Sequence, residues 1–214
     1  KGTSYVLNCK QVTFNVYVPI PGKFTVYNTL AVIASAAYLS IPMENIINSL
    51  AHISGVPGRV QSFTSNKGYT VLIDYAHTPD GLKNVLEAIT EFADERIITV
   101  FGCGGDRDRT KRPIMGEIAA CYSDYVIITS DNPRSEDPIQ IINEIEGGVN
   151  QHTKPYEKIE DRKEAIAAAL KKASKGDVVL IAGKGHENYQ ILKDKTIHFD
   201  DSEIVQQIIQ EEQK

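Results

Sequence analysis

Apolar positions along the chain keep two rhythms, one of period two and one of helical period, and their alternation changes character near residue 58. Residues Tyr5 to Leu7 and Val12 to Val18 read as two strands around a turn near Asn8, the second setting Val12, Phe14, Val16 and Val18 against Thr13, Asn15 and Tyr17. Pro19-Ile20-Pro21-Gly22 halts this hairpin, an Ala- and Leu-rich helix is expected from Val26 to Leu39, and Pro42 opens a shorter one through Ala51. The stretch Ser54-Gly55-Val56-Pro57-Gly58-Arg59 reads as a domain boundary, so residues 1–57 and 58–214 are expected to form separate units.

Beyond that boundary a hairpin, Val60 to Thr64 and Thr70 to Asp74, turns through Asn66-Lys67-Gly68. Strand-like runs then alternate with helical periodicities at Pro79 to Ala93, Ile114 to Cys121, Ile139 to Ile145 and Arg162 to Ala173, with Asp137 and Asp161 as expected helix caps. A late hairpin, Ile191 to Lys193 with Thr196 to Phe199, precedes a helix carrying Ile204, Val205, Ile208 and Ile209. This order predicts an α/β fold with a doubly wound, mostly parallel sheet.

Four of the strand-like runs end in polar, conformationally special residues. Val71 to Asp74 runs into Tyr-Ala-His-Thr-Pro, Ile97 to Phe101 into Gly-Cys-Gly-Gly-Asp-Arg, Tyr125 to Ser130 into Asp-Asn-Pro-Arg, and Val178 to Ala182 into Gly-Lys-Gly-His-Glu. One such loop is most often an ordinary strand-to-helix turn. Four on the edge where α/β sheets bind ligands predict a site.

With 214 residues, 42% of them hydrophobic and 24% charged, the composition is that of a soluble globular protein, and no apolar run approaches a membrane span. The net charge of −5 makes nucleic acid an unexpected partner. Yet Arg107, Arg109, Lys111, Arg112, Arg134, Lys184, His77 and His186 all fall in the four loops, which suggests a small anionic ligand. Cys9, Cys103 and Cys121 have neither zinc nor disulfide spacing and suit a reducing cytoplasm. The chain opens at Lys1 without a methionine or leader pattern, as if from within something larger.

Gly102-Cys103-Gly104-Gly105-Asp106-Arg107 places arginine where a dinucleotide fingerprint needs its third glycine, and Gly183-Lys184-Gly185 lacks the hydroxyl and the first glycine of a triphosphate loop. His186-Glu187 lacks the second histidine of a zinc-protease helix, so no metal site is expected. What remains is recognition: Arg134 or Arg107 can hold a carboxylate by two parallel hydrogen bonds, while Asp131 or Glu187 accepts from an ammonium, a pairing suited to a zwitterion. Asp74 and His77 are as compatible with a cap and a surface histidine as with contacts to ribose or phosphate.

The segments Asp74-Tyr75-Ala76-His77-Thr78-Pro79-Asp80, Phe101 to Asp108, Asp131-Asn132-Pro133-Arg134 and Gly183 to Glu187 resemble, in order and spacing, the Mur ligases, in particular the diaminopimelate-adding branch. The resemblance covers the whole chain. It implies a Rossmann-like C-terminal domain at 58–214, preceded by the end of the family's central ATP-binding domain at 1–57. It further implies an amide ligase of peptidoglycan synthesis in the cytoplasm. Such a ligase uses ATP and Mg²⁺ to join meso-diaminopimelate to UDP-N-acetylmuramoyl-L-alanyl-D-glutamate through an acyl phosphate. By the same resemblance Arg107, Asp131, Asn132, Pro133, Arg134, Gly183 and Glu187 form the amino-acid pocket, and Asn28, Arg59, Asp74 and His77 contact the adenosine part of ATP. Thr25 stands where the family usually has asparagine. The family's phosphate loop, magnesium ligands and modified lysine have no counterpart in the sequence, so no catalytic residue is expected in this chain. A stand-alone amino-acid or nucleotide binding module, the lysine-adding ligase of the same family and, more remotely, a folylpolyglutamate synthetase are the alternatives.

Overall fold

The computed structural model describes residues 2–9, 11–53 and 55–212. The chain divides into two compact units, Lys1–Val56 and Pro57–Lys214. Ser54, at the start of the expected boundary stretch, lies outside the described residues.

In the first unit β1 (Thr3–Cys9) pairs antiparallel with β2 (Val12–Val18), from Thr3 opposite Val18 to Cys9 opposite Val12. The first strand thus runs on through Asn8, where a turn was expected. Helices α1 (Lys23–Tyr38) and α2 (Met43–Leu50) follow. Helix α1 begins three residues before the expected Val26, because Gly22, at φ +106°, already turns the chain into it. Val16, Val18, Ile33, Ile46 and Leu50 make this unit's small core.

The second unit contains β3 (Gln61–Thr64), β4 (Thr70–Asp74), α3 (Pro79–Thr90), β5 (Ile97–Phe101), α4 (Lys111–Tyr122), β6 (Tyr125–Ile128), α5 (Pro138–Val149), β7 (Tyr156–Lys158), α6 (Arg162–Lys172), β8 (Val178–Ala182), β9 (Tyr189–Ile191), β10 (Thr196–His198) and α7 (Asp201–Glu211). The main sheet has the order β3-β4-β8-β5-β6-β7. Only β3 runs antiparallel to its neighbour; β4, β8, β5, β6 and β7 are parallel. The α/β, mostly parallel sheet read from the sequence is therefore the observed architecture.

Period two along the strands sorts the side chains between two cores. Leu72, Leu180, Val126 and Ile128 pack with Leu82 and Leu86 of α3, Met115 and Ala119 of α4, and Ile141 and Ile145 of α5. Val71, Ile73, Val179, Ile181, Ile98 and Val100 pack on the other face with Ile166 and Leu170 of α6 and Val205 of α7. Burial on both faces explains why these strands are mostly apolar, and the buried Thr99 in the middle of β5 is satisfied by the Ser123 hydroxyl at 2.7 Å. Thr78 caps α3 by accepting from the Gly81 N–H at 3.1 Å, Asp137 caps α5 from Ile139 at 2.8 Å, and Asp161 caps α6 from Glu164 at 2.9 Å. The late hairpin pairs Tyr189–Ile191 with Thr196–His198, two residues earlier on its first strand than expected.

Candidate functional site

Because β4, β8, β5 and β6 are consecutive in the sheet, the loops leaving their carboxyl ends converge on one edge. They enclose a cleft of about 540 Å³, to which the loops after all four strands contribute.

The glycines after β5 let two of these loops meet backbone to backbone. A side-chain carbon at Gly102 would overlap the Thr129 carbonyl oxygen, and one at Gly105 would overlap that of Pro133. The Gly105 N–H donates to the Asn132 carbonyl at 2.9 Å. This close approach fixes Arg134, whose backbone is left-handed at φ +53° and whose N–H donates to the Ile191 carbonyl at 3.1 Å. Its Nη1 donates to the carbonyls of Gly105 at 2.8 Å and Asn132 at 3.4 Å. Nε and Nη2 have no partner among the described residues. A guanidinium anchored at one corner and lining a cleft is suited to a carboxylate.

Asp131 lines the same cleft with only 7% of its surface exposed, and its carboxylate makes no hydrogen bond among the described residues. Burial pushes its pKa up, against the pull of Arg162 and Lys184. Its neighbour Asn132 is engaged at both polar atoms: Nδ2 donates to Glu187 Oε2 at 2.9 Å, while Oδ1 accepts from Lys184 Nζ at 3.1 Å and the Ile191 N–H at 2.9 Å. Lys184 Nζ also lies 3.2 Å from Glu187 Oε2. Glu187 thus reaches the cleft with its Oε2 held by Asn132 and Lys184, and Gly183, at φ +116°, makes the turn that brings this loop over Asp131.

The cationic rim expected from the loops is smaller than the sequence suggests. Lys184 is fully buried against Glu187, Arg112 is fully buried between Glu136 and Glu144, and Arg109 pairs with Glu144. These three are neutralised by the protein's own carboxylates. Arg107, Lys111, Arg134 and His77 line the cleft. Cys103 is buried beside Met115, its thiol pushed up to about 12 by burial, which removes it as a nucleophile.

Of the other predicted site residues, Pro133 is buried and outside the cleft lining, holding the loop through its carbonyl. Asp74 is buried at the end of β4, and its Oδ2 accepts from the Val60 N–H at 2.9 Å. Tyr75 carries the Arg59 guanidinium 5.0 Å above its ring and stacks edge-on with His77 at 4.6 Å. Asn28 is exposed on α1, in the first unit. Sequence reasoning passed over Arg162 and Asp201, which are fully buried and bonded to each other at 2.8 Å. They stand in the first turns of their helices, where charged residues usually face water, so no linear signal marks them.

Residues 58–185 match the family described as Mur ligase, glutamate ligase domain. The chain belongs to the Mur ligases. It is 48% identical over 213 residues to the UDP-N-acetylmuramoyl-L-alanyl-D-glutamate-2,6-diaminopimelate ligase of Caldanaerobacter subterraneus subsp. tengcongensis, covering 100% of this chain and 44% of that one. It is 52% identical to the corresponding ligase 1 of Clostridium acetobutylicum, covering 99% and 44%. A solved structure of a UDP-N-acetylmuramoyl-L-alanyl-D-glutamate-2,6-diaminopimelate ligase superposes with a TM-score of 0.77 at 38% identity, over 99% of this chain and 43% of that one. The folylpolyglutamate synthase of Thermotoga maritima shares the fold, with a TM-score of 0.64 at 20% identity over 82% and 39% of the two chains. This Mur ligase chain spans less than half the length of the curated relatives it matches.

Proposed function

We propose that the chain is the amino-acid-binding part of an ATP-dependent ligase that adds meso-diaminopimelate to UDP-N-acetylmuramoyl-L-alanyl-D-glutamate in cytoplasmic peptidoglycan synthesis. One observation carries the reading: the Asp131 carboxyl, free of hydrogen bonds among the described residues, and the half-satisfied Arg134 guanidinium line one cleft, offering an acceptor and a donor fork to a zwitterion. Arg134 meets the distal carboxylate, with Arg107 beside it; Asp131 and Glu187 receive ammonium groups, Glu187 through the oxygen that Lys184 and Asn132 do not hold. The first unit, in this reading, is the end of the central domain. ATP with Mg²⁺ would supply the phosphoryl group that activates the glutamate carboxylate. Arg59 and His77, set around the Tyr75 ring, give a cationic and aromatic surface compatible with a nucleotide, and Asp74 shapes that turn through the Val60 amide.

Lysine shares both amines but lacks the second carboxylate, and would leave Arg134 desolvated without a partner. A site built around such a group rejects the analogue by up to about 10⁴-fold. The test is a calorimetric titration of meso-diaminopimelate and of lysine into the full-length protein, followed by kinetics of Arg134→Ala. The variant should raise the KM for diaminopimelate at least about tenfold and narrow the preference over lysine. Equal use of lysine by the intact enzyme, or unchanged diaminopimelate kinetics in Arg134→Ala, refutes the assignment.

A further inference from the structure

The buried pair Arg162–Asp201 lies outside the cleft lining, and beyond the pull of Arg162 on Asp131 the reading above gives it no role. Arg162 is the first residue of α6 and Asp201 the first of α7, and the caps Asp161 and Asp200 hold both helix starts. Arg162 Nε donates to Asp201 Oδ1 at 2.9 Å and Nη2 to Oδ2 at 2.8 Å, a two-pronged contact that spends one edge of the guanidinium. The rest of the fork points at the sheet. Nη2 also donates to the Ala182 carbonyl at 3.1 Å, and Nη1 to the Ser130 carbonyl at 3.4 Å. These carbonyls belong to the residues immediately before Gly183 and Asp131. Strands β8 and β6 are not neighbours, since β5 lies between them.

A buried ion pair is a weak device for stability, because desolvating both charges costs about what their attraction returns. Here its position supplies another purpose. We infer that Arg162, oriented by Asp201, is a positioning residue: it ties the carboxyl ends of β6 and β8 together behind the cleft and thereby sets the separation between Asp131 and Gly183. The inference rests on the proposed amino-acid pocket for its ligand and on these hydrogen bonds for its geometry. Lysine cannot replace the fork, since a single ammonium reaching Asp201 has no planar edge left for two carbonyls.

The experiment compares Arg162→Lys and the double variant Arg162→Met with Asp201→Leu in the full-length protein. The first keeps the charge, and the second exchanges the pair for apolar side chains, which buried pairs commonly tolerate. Each is read by thermal melting, by amide hydrogen exchange at residues 129–132 and 182–184, and by KM and kcat for meso-diaminopimelate and KM for ATP. Positioning predicts a melting temperature near wild type, faster exchange confined to those two strand ends, a KM for diaminopimelate raised about tenfold, and an ATP KM changed less than about twofold. A variant that folds with wild-type exchange and wild-type diaminopimelate KM overturns the inference. So does one in which the KM values for both substrates rise together while the melting temperature falls. If the double variant does not fold, Arg162→Lys decides alone. Faster exchange at the strand ends in a protein whose wild type ignores diaminopimelate would refute the substrate and leave the positioning role standing.

Discussion

Arg112 is fully buried, with Nη1 donating to Glu136 at 2.9 Å and Glu144 at 2.7 Å and Nη2 to Glu136 at 2.8 Å. Its hydrogen bonds hold the Glu136 carboxyl at about 2, well below its ordinary 4.5. A carboxylate with a depressed folded-state pKa contributes stability that is complete above 4.5 and is lost as the pH falls toward 2. Glu136→Gln should therefore cost about 1 to 3 kcal/mol in urea unfolding at pH 7, and the difference from wild type should vanish near pH 2. A gap that stays constant with pH would show that the pair is irrelevant to it. Arg112 also marks where residue-level reading of the sequence stops. The letters after Phe101 announce a charged loop, and the loop is at the site, but which cations face the cleft depends on Glu136 and Glu144, which reach them only after the chain has folded. Asp131, Arg134 and Gly183 could be picked out because their motifs stand just beyond strand ends, and all three line the cleft.

At the scale of elements, helices α4 and α5 touch through glycine. A side-chain carbon on Gly116 would overlap the Ile145 carbonyl oxygen, and one on Gly148 the Pro113 carbonyl oxygen, whereas one on Gly147 would meet nothing within 4 Å. Adjacent substitutions should thus act in opposite directions. Gly148→Ala forces the helices apart and should destabilise by about 1 to 3 kcal/mol, while Gly147→Ala, exposed and helical, should stabilise by about 0.5 to 1 kcal/mol. Thermal melts of both variants check this, and the same sign for both would refute the close packing. Lys111 and Ile114 of α4 line the cleft, so Gly148→Ala should also weaken amino-acid binding. Long apolar strands and capped helices were readable from periodicity alone. Strand β7 was not, because Tyr156-Glu157-Lys158 is three residues long and mostly polar, and only its parallel pairing with Val126 to Ile128 makes it a strand. The late hairpin slipped for a related reason: Tyr189 and Gln190 read as loop, yet Gln190 is buried, its Nε2 donating to the Asp131 carbonyl at 2.8 Å.

For the whole chain, the proposed amino-acid recognition comes without a phosphate-cradling loop in this sequence. Phosphoryl transfer depends on positioning and on neutralising phosphate charge, so the chain expressed alone should neither release phosphate from ATP nor form an amide, and its affinity for adenine nucleotide should be about millimolar. A phosphate-release assay with precursor and diaminopimelate, together with calorimetry, tests both; turnover or submicromolar binding would show a self-sufficient engine. The strand order carries a consequence for the birth of the molecule. Strand β8 sits between β4 and β5 but is made about a hundred residues after β4, roughly 5 to 20 s later at ordinary rates of synthesis. Through that interval β4 and, once it is made, β5 each carry an unpaired, mostly apolar edge, and such edges recruit other chains. The nascent protein therefore passes through a window of vulnerability that closes only when Val178 to Ala182 emerges and slots home, and a translational pause shortly before that segment would raise the fraction lost to aggregation.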